Sequence, residues 1–126
     1  VEMAKIVIAE DEPDIRELIA FTLRFAGHEV ITGSNGLEGY NLVKSEHPDL
    51  AILDVRMPRM TGYDACKKIK EDPEIAHIPV IFLSAKGQEN EIDQGLLMGA
   101  EVYLLKPFAP DQLTQHVKAV LAKHGK

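Results

Sequence analysis

Five residues are of types that could do chemistry together: Glu10, Asp11, Asp54, Ser84 and Lys106. Each ends, or directly follows, a short apolar run. Three carboxylates brought close repel one another and would force a proton onto one of them. A divalent cation removes that conflict, and an all-oxygen site with open positions suits magnesium, which takes a few carboxylates and keeps several waters. A bound metal also keeps Asp54 ionised and therefore nucleophilic. Lys106 then supplies a point charge and Ser84 a hydroxyl for an anion. Carboxylate, magnesium, lysine and hydroxyl are together the parts for phosphoryl transfer to a carboxylate. Acids and hydroxyls at strand ends can simply cap helices. That accounts for one such residue and poorly for three acids, a hydroxyl and a lysine.

The elements that must position these residues are legible as alternation. Strands are expected at 5–9 (KIVIA), 29–33 (EVITG), 50–54 (LAILD), 79–84 (PVIFLS) and 102–105 (VYLL). Three of these runs are nearly continuous in apolar residues, the pattern of strands covered on both faces. Helical spacing fills the gaps. Ile15, Leu18, Ile19 and Thr22 share a face of a helix over 13–26, with Pro13 in its first turn and Gly27 as its stop. Leu37, Tyr40 and Val43 mark a second helix, Ala65, Cys66 and Ile69 a third, Ile92, Leu96 and Gly99 a fourth, and Leu113, Val117, Val120 and Leu121 a fifth. Five strand–helix alternations with gaps of crossover length imply one doubly wound α/β domain. In such sheets the active crevice lies outside the carboxyl ends of the strands. If the first and third strands are neighbours, Glu10, Asp11 and Asp54 converge there.

The 126 residues suit one domain with one real core, and a formal charge of -6 without a Lys/Arg stripe argues against direct nucleic-acid binding. No apolar run is long enough to span a bilayer and no signal-peptide pattern is present, which favours the cytoplasm. Val1-Glu2 read as an expression remnant before a natural start at Met3, so the domain is expected over 3–126. Cys66 is alone, so no disulfide framework or cysteine metal site is expected, and it reads as a small buried hydrophobe. His28, His47, His77, His116 and His124 are scattered, suggest no zinc site and are expected at the surface. Gly33-Ser34-Asn35-Gly36 lacks the lysine and spacing of a phosphate loop and reads as a turn.

In this order, the segments VIAEDEP (7–13), LAILDVRMPRMTG (50–62), VIFLSA (80–85) and GAEVYLLKPF (99–108) resemble the receiver domains of two-component response regulators. The resemblance runs from Lys5 to about Lys123. It implies a flavodoxin-like five-stranded parallel sheet, strand order 2-1-3-4-5, with helices on both faces. It further implies that Asp54 accepts a phosphoryl group from a phosphohistidine on a sensor histidine kinase or phosphotransfer protein. Magnesium would be held by Glu10, Asp11, Asp54 and the backbone carbonyl of Arg56. Ser84 would bond the phosphoryl oxygens, Lys106 would pair with them, and the Lys106–Pro107 peptide would be cis. Tyr103 takes the place of the switch aromatic that moves toward Ser84.

The departures from that pattern carry expectations of their own. Glu10 stands where aspartate is common, so its metal contact is expected through water and to rank below that of Asp11. Arg56 and Lys86 flank the pocket and are expected to alter the lifetime of the phosphorylated state. Helical spacing turns Leu97 outward, either as one ordinary exposed leucine or as a contact for a partner or second copy. The expected output face combines the helix around 92–99, the fifth strand and the last helix, and would engage a downstream protein. Two rivals stand beside this reading. One is a receiver-like binding module that works without phosphorylation. The other is a phosphatase with an aspartyl-phosphate intermediate, which needs a general acid where Arg56 stands.

Overall fold

The computed structural model describes residues 3–85, 102–106 and 108–125. Five strands, β1 (Lys5–Ala9), β2 (Glu29–Gly33), β3 (Leu50–Asp54), β4 (Val80–Ala85) and β5 (Val102–Lys106), form one parallel sheet in the order β2-β1-β3-β4-β5. The described helices are α1 (Pro13–Phe25), α2 (Gly36–Glu46), α3 (Gly62–Glu71) and α4 (Pro110–Lys123). The expected helix around Ile92–Gly99 lies outside the described residues, as do Lys86, Leu97, Pro107 and the side chain of Tyr103.

Strand side chains alternate faces, and both faces are covered. Ile6, Ile8, Ile52, Ile81 and Leu83 pack against Ile19 and Leu23 of α1 and Leu113 and Val117 of α4. Val7, Ala9, Ala51, Leu53 and Phe82 pack against Val43 of α2 and Ala65, Cys66 and Ile69 of α3. This double burial explains why the strands read as continuous apolar runs. Cys66 is buried as expected, and burial pushes its thiol up to about 11.

Caps at the right places set the helices. The Asn35 side chain accepts the Glu38 N–H at 2.9 Å, and Glu38 Oε1 accepts the Ser34 N–H at 2.8 Å, so the turn at 33–36 is the start of α2. Thr61 caps α3 by accepting the Asp64 N–H at 3.1 Å. α2 ends on His47, whose φ of 47° lies in the left-handed region.

Two expectations need correction. The buried stripe of α1 is Ile19, Ala20 and Leu23, whereas Leu18 is exposed and Thr22 only half-buried. The expected stripe was rotated toward solvent because α1 carries apolar residues on two sides. His28 is not at the surface: it is buried, and its Nδ1 accepts the Ala4 N–H at 3.2 Å. Burial lowers its pKa, so the neutral ring is the form that fits there.

Candidate functional site

β1 and β3 are hydrogen-bonded neighbours with Ala9 opposite Leu53, so Glu10 and Asp54 leave the sheet at the same level. β4 adds Ser84 and β5 adds Lys106 along the same edge, Ser84 pairing with Leu105 and Ala85 with Lys106. Of the residues singled out from sequence, Glu10, Asp54 and Ser84 are buried, Lys106 is half-buried, and Asp11 and Arg56 are exposed. A cavity of about 180 Å³ opens at this edge, lined by Asp11, Glu12, Asp54, Val55, Arg56, Ser84 and Lys106. The expected edge is therefore a real concavity, with the carboxylates of Asp11 and Asp54 in its lining.

The charges are tightly coupled. Carboxylate oxygens of Glu10, Asp11 and Asp54 lie within 4.8 Å of one another. Lys106 Nζ reaches Glu10 Oε1 at 2.9 Å and Asp54 Oδ2 at 3.2 Å, the second as a hydrogen bond. Glu10 Oε2 accepts the Glu12 N–H at 3.1 Å, and Arg16 donates to the Glu10 carbonyl at 2.9 Å, which fixes this stretch of backbone. Burial pushes the Glu10 carboxyl up to about 7, with the Asp54 charge adding to the rise and Lys106 opposing it. Burial alone would lower the Lys106 pKa, but the Glu10 and Asp54 carboxylates outweigh it and hold the ammonium above its ordinary range.

One atom stands out in this cluster. Among the described residues Glu10 Oε1 is buried with the Lys106 ammonium, 2.9 Å away as an ion pair, as its one close partner. A buried acceptor left in this state is costly. Among the described residues the acids Glu10, Asp11, Glu12 and Asp54 outnumber the cations Lys106 and Arg56, which leaves the edge net negative. All-oxygen donors, an under-satisfied buried oxygen, excess negative charge and an open side at Asp11 fit a hard divalent cation of the magnesium type. Glu10, Asp11 and Asp54 are the residues that could hold it.

The loop after β3 keeps the cavity open. Val55 donates its N–H to the Leu83 carbonyl at 2.9 Å and Gly62 donates to the Val55 carbonyl at 2.9 Å, so residues 55–62 close back on the strand end. Gly62 comes so near the Asp54 backbone that a Cβ there would stand 2.2 Å from the Asp54 carbonyl oxygen. Arg59 turns the loop with φ 70°. Glu12 and Val55 line the cavity and were not anticipated. Glu12 follows directly on the two acids, and its place in the sequence is the one signal that could have found it.

Comparison with known proteins agrees with this geometry. Residues 6–118 match the response regulator receiver domain. The chain belongs to that family. It is 39% identical over 120 residues to the phosphate regulon transcriptional regulatory protein PhoB of Pseudomonas aeruginosa, covering 95% of this chain and 52% of PhoB. It is 36% identical over 119 residues to the alkaline phosphatase synthesis transcriptional regulatory protein PhoP of Bacillus subtilis, covering 94% and 49%. The chain thus spans about half the length of these curated relatives. Among solved structures, the chemotaxis response regulator CheY4 of Vibrio cholerae superposes with a TM-score of 0.88 at 31% identity, covering 94% of this chain and 99% of CheY4. A receiver domain protein from Clostridium thermocellum gives 0.90 at 30% identity, covering 98% of each chain. Receiver domains are generally phosphoacceptor switches that bind Mg²⁺ at an acidic pocket and interact with histidine kinases and effector domains. Among the described residues, no helix is long and apolar enough to cross a membrane.

Proposed function

We propose that this receiver domain is a phosphorylation-activated switch in which Asp54 accepts a phosphoryl group from a histidine kinase or phosphotransfer partner. The observation that carries this reading is the cavity edge where the carboxylates of Glu10, Asp11 and Asp54 converge, with Asp54 Oδ2 3.2 Å from the Lys106 ammonium. An Asp54 carboxylate oxygen forms a bond to phosphorus as the phosphorus–nitrogen bond of the partner's phosphohistidine breaks, and the imidazole nitrogen keeps the electron pair. Lys106 neutralises charge on the transferring group, and the Ser84 hydroxyl donates to one of its oxygens. Glu10, Asp11, Asp54 and the Arg56 carbonyl would hold magnesium, which would supply the remaining charge neutralisation when bound. The new group carries about -1.5 to -2 charge, which draws Ser84 and Lys106 toward it and competes for the ammonium now shared by Glu10 and Asp54. Lys106 is the last residue of strand β5, which includes Tyr103, and helix α4 begins shortly after it at Pro110, so that pull reaches the proposed output face. The cytoplasm is the compartment where such a kinase partner acts.

Incubation with acetyl phosphate and magnesium is expected to add one phosphoryl group by intact mass. EDTA and Asp54→Ala should each abolish the gain. No gain with any donor would favour a binding module that works without phosphorylation. Arg56, exposed at the cavity mouth, is proposed together with Lys86 to set how long the phosphorylated state lasts. The double variant Arg56→Asn, Lys86→Glu is expected to change the decay rate of the phosphorylated protein several-fold, and an unchanged decay would remove both residues from that role.

A further inference from the structure

The edge of the sheet opposite Asp54 gathers histidines that are far apart in sequence. Helices that link parallel strands run back to the amino ends of those strands. α2 therefore ends there on His47, α4 ends there at His124, and the connection into β4 brings His77. The three line one cavity of about 300 Å³, and Asp49 adds a carboxylate to its lining. All three histidines are exposed, so their rings can turn without unpacking the core.

The donor chemistry differs from that of the acidic edge. All-carboxylate donors suit magnesium, whereas imidazole nitrogens suit borderline cations such as zinc. Zinc takes four ligands from histidine nitrogens and carboxylate oxygens, so three histidines and one aspartate make a complete set. His47 Nε2 lies 3.8 Å from Glu74 Oε1, which leaves Nδ1 for an ion and supplies the carboxylate partner that metal-bound histidines usually keep. Asp49 Oδ2 accepts the Lys5 N–H at 2.9 Å, which orients that carboxylate. His47 also holds a φ of 47° at a helix end where glycine or asparagine is usual, so its imidazole is placed there at some backbone cost. Among the described residues, Glu10, Asp11 and Asp54 are the one group of three with ligand atoms all within 4.8 Å of one another. The three imidazoles must therefore turn inward to share an ion.

We propose that His47, His77, His124 and Asp49 bind zinc and so tie the ends of α2 and α4 to the entry of β4. Because the rings are exposed and lose freedom on binding, the affinity is moderate, with a micromolar Kd.

Isothermal titration calorimetry with zinc chloride, in excess magnesium to occupy the acidic edge, tests this. One equivalent of zinc is expected to bind, and His47→Asn, His77→Gln and His124→Gln should each weaken it about tenfold or more. Asparagine at position 47 accepts the left-handed backbone, so that variant removes the ring and keeps the turn. His116→Gln removes a histidine of α4 outside the cavity and should leave zinc binding unchanged. Cobalt(II) in place of zinc reads the geometry: a tetrahedral site absorbs strongly in the visible, and an adventitious surface ion only faintly. Zinc should also raise the urea midpoint of the parent but not that of the double variant His77→Gln, His124→Gln. Absence of zinc binding in excess magnesium overturns the proposal, as does binding that survives all three cavity variants or is lost equally in His116→Gln. Faint cobalt absorption also overturns it. Zinc binding lost in Asp54→Ala would instead assign the ion to the acidic edge.

Discussion

A Glu10→Gln variant is expected to be more stable than the parent in metal-free buffer, by a margin that widens by about 2 kcal/mol between about pH 5.5 and pH 8. The sign follows from burial. In the folded protein the Glu10 carboxyl is raised from 4.5 to about 7. Between those values the folded protein keeps a proton that the unfolded chain has already released. Parental stability from this group is therefore full below 4.5 and falls as pH rises to about 7, at roughly 1.4 kcal/mol per unit. Glutamine holds the same shape without a titrating proton and has no such loss. Titrations away from this edge are shared, so the difference between the two proteins isolates Glu10 together with the Lys106 and Asp54 charges coupled to it. Urea midpoints in EDTA at the two pH values measure it, and a gap that stays constant with pH would refute the assignment.

Magnesium should respond in the opposite sense. Removing one carboxylate from the group around Asp54 is expected to weaken magnesium binding about tenfold or more, in line with losing a hard oxygen ligand or its water-mediated contact. In the parent, magnesium affinity should fall as pH drops below about 7, because Glu10 must release its proton before the cation is favoured. Glu10→Gln should flatten that dependence. A variant that is more stable and binds less metal is the expected mark of a carboxylate kept at a cost to the fold.

The outline of this edge was readable from sequence because strands buried on both faces have no alternation to misread. Lys5–Ala9 and Leu50–Asp54 appear in the structure with the boundaries their apolar runs imply. β4 runs one residue later at each end than the expected 79–84, from Val80 to Ala85, and β5 extends one residue past 105 to Lys106, because Ala85 and Lys106 still pair across the two strands. Neighbouring strands one and three, needed to unite Glu10 with Asp54, followed from the resemblance and not from composition. α1 was less legible. Ile15, Leu18, Ile19, Phe21, Leu23 and Phe25 supply two apolar faces, and periodicity alone does not say which one meets the sheet. Linear spacing also hid a grouping of histidines. His47, His77 and His124 line one cavity of about 300 Å³ at the opposite edge of the sheet, because each sits in a connection or helix end there. The under-satisfied oxygen of Glu10 had no sequence signal. It arises from how the side chains pack at this edge, where Lys106 is shared between Glu10 and Asp54.

Gly62→Ala is expected to cost roughly 3 kcal/mol of stability and to slow phosphoryl acceptance by Asp54, a larger effect than its single methyl suggests. The added Cβ would stand 2.2 Å from the Asp54 carbonyl oxygen and 2.9 Å from its carbonyl carbon. These are backbone atoms, so no side-chain rotation relieves the clash. Either the start of α3 moves outward, or the end of β3 moves. The first response breaks the Gly62-to-Val55 hydrogen bond and loosens Ala65, Cys66 and Ile69. The second shifts the Asp54 carboxylate away from Lys106. Gly36→Ala separates the two. Its Cβ would stand 1.8 Å from the Met60 carbonyl oxygen, pressing on the same loop but away from Asp54. Both variants should lower the urea midpoint, while only Gly62→Ala should slow the mass gain from acetyl phosphate when each is compared under folded conditions. Parental stability and parental phosphorylation in Gly62→Ala would show that the β3–α3 connection does not hold Asp54 in place.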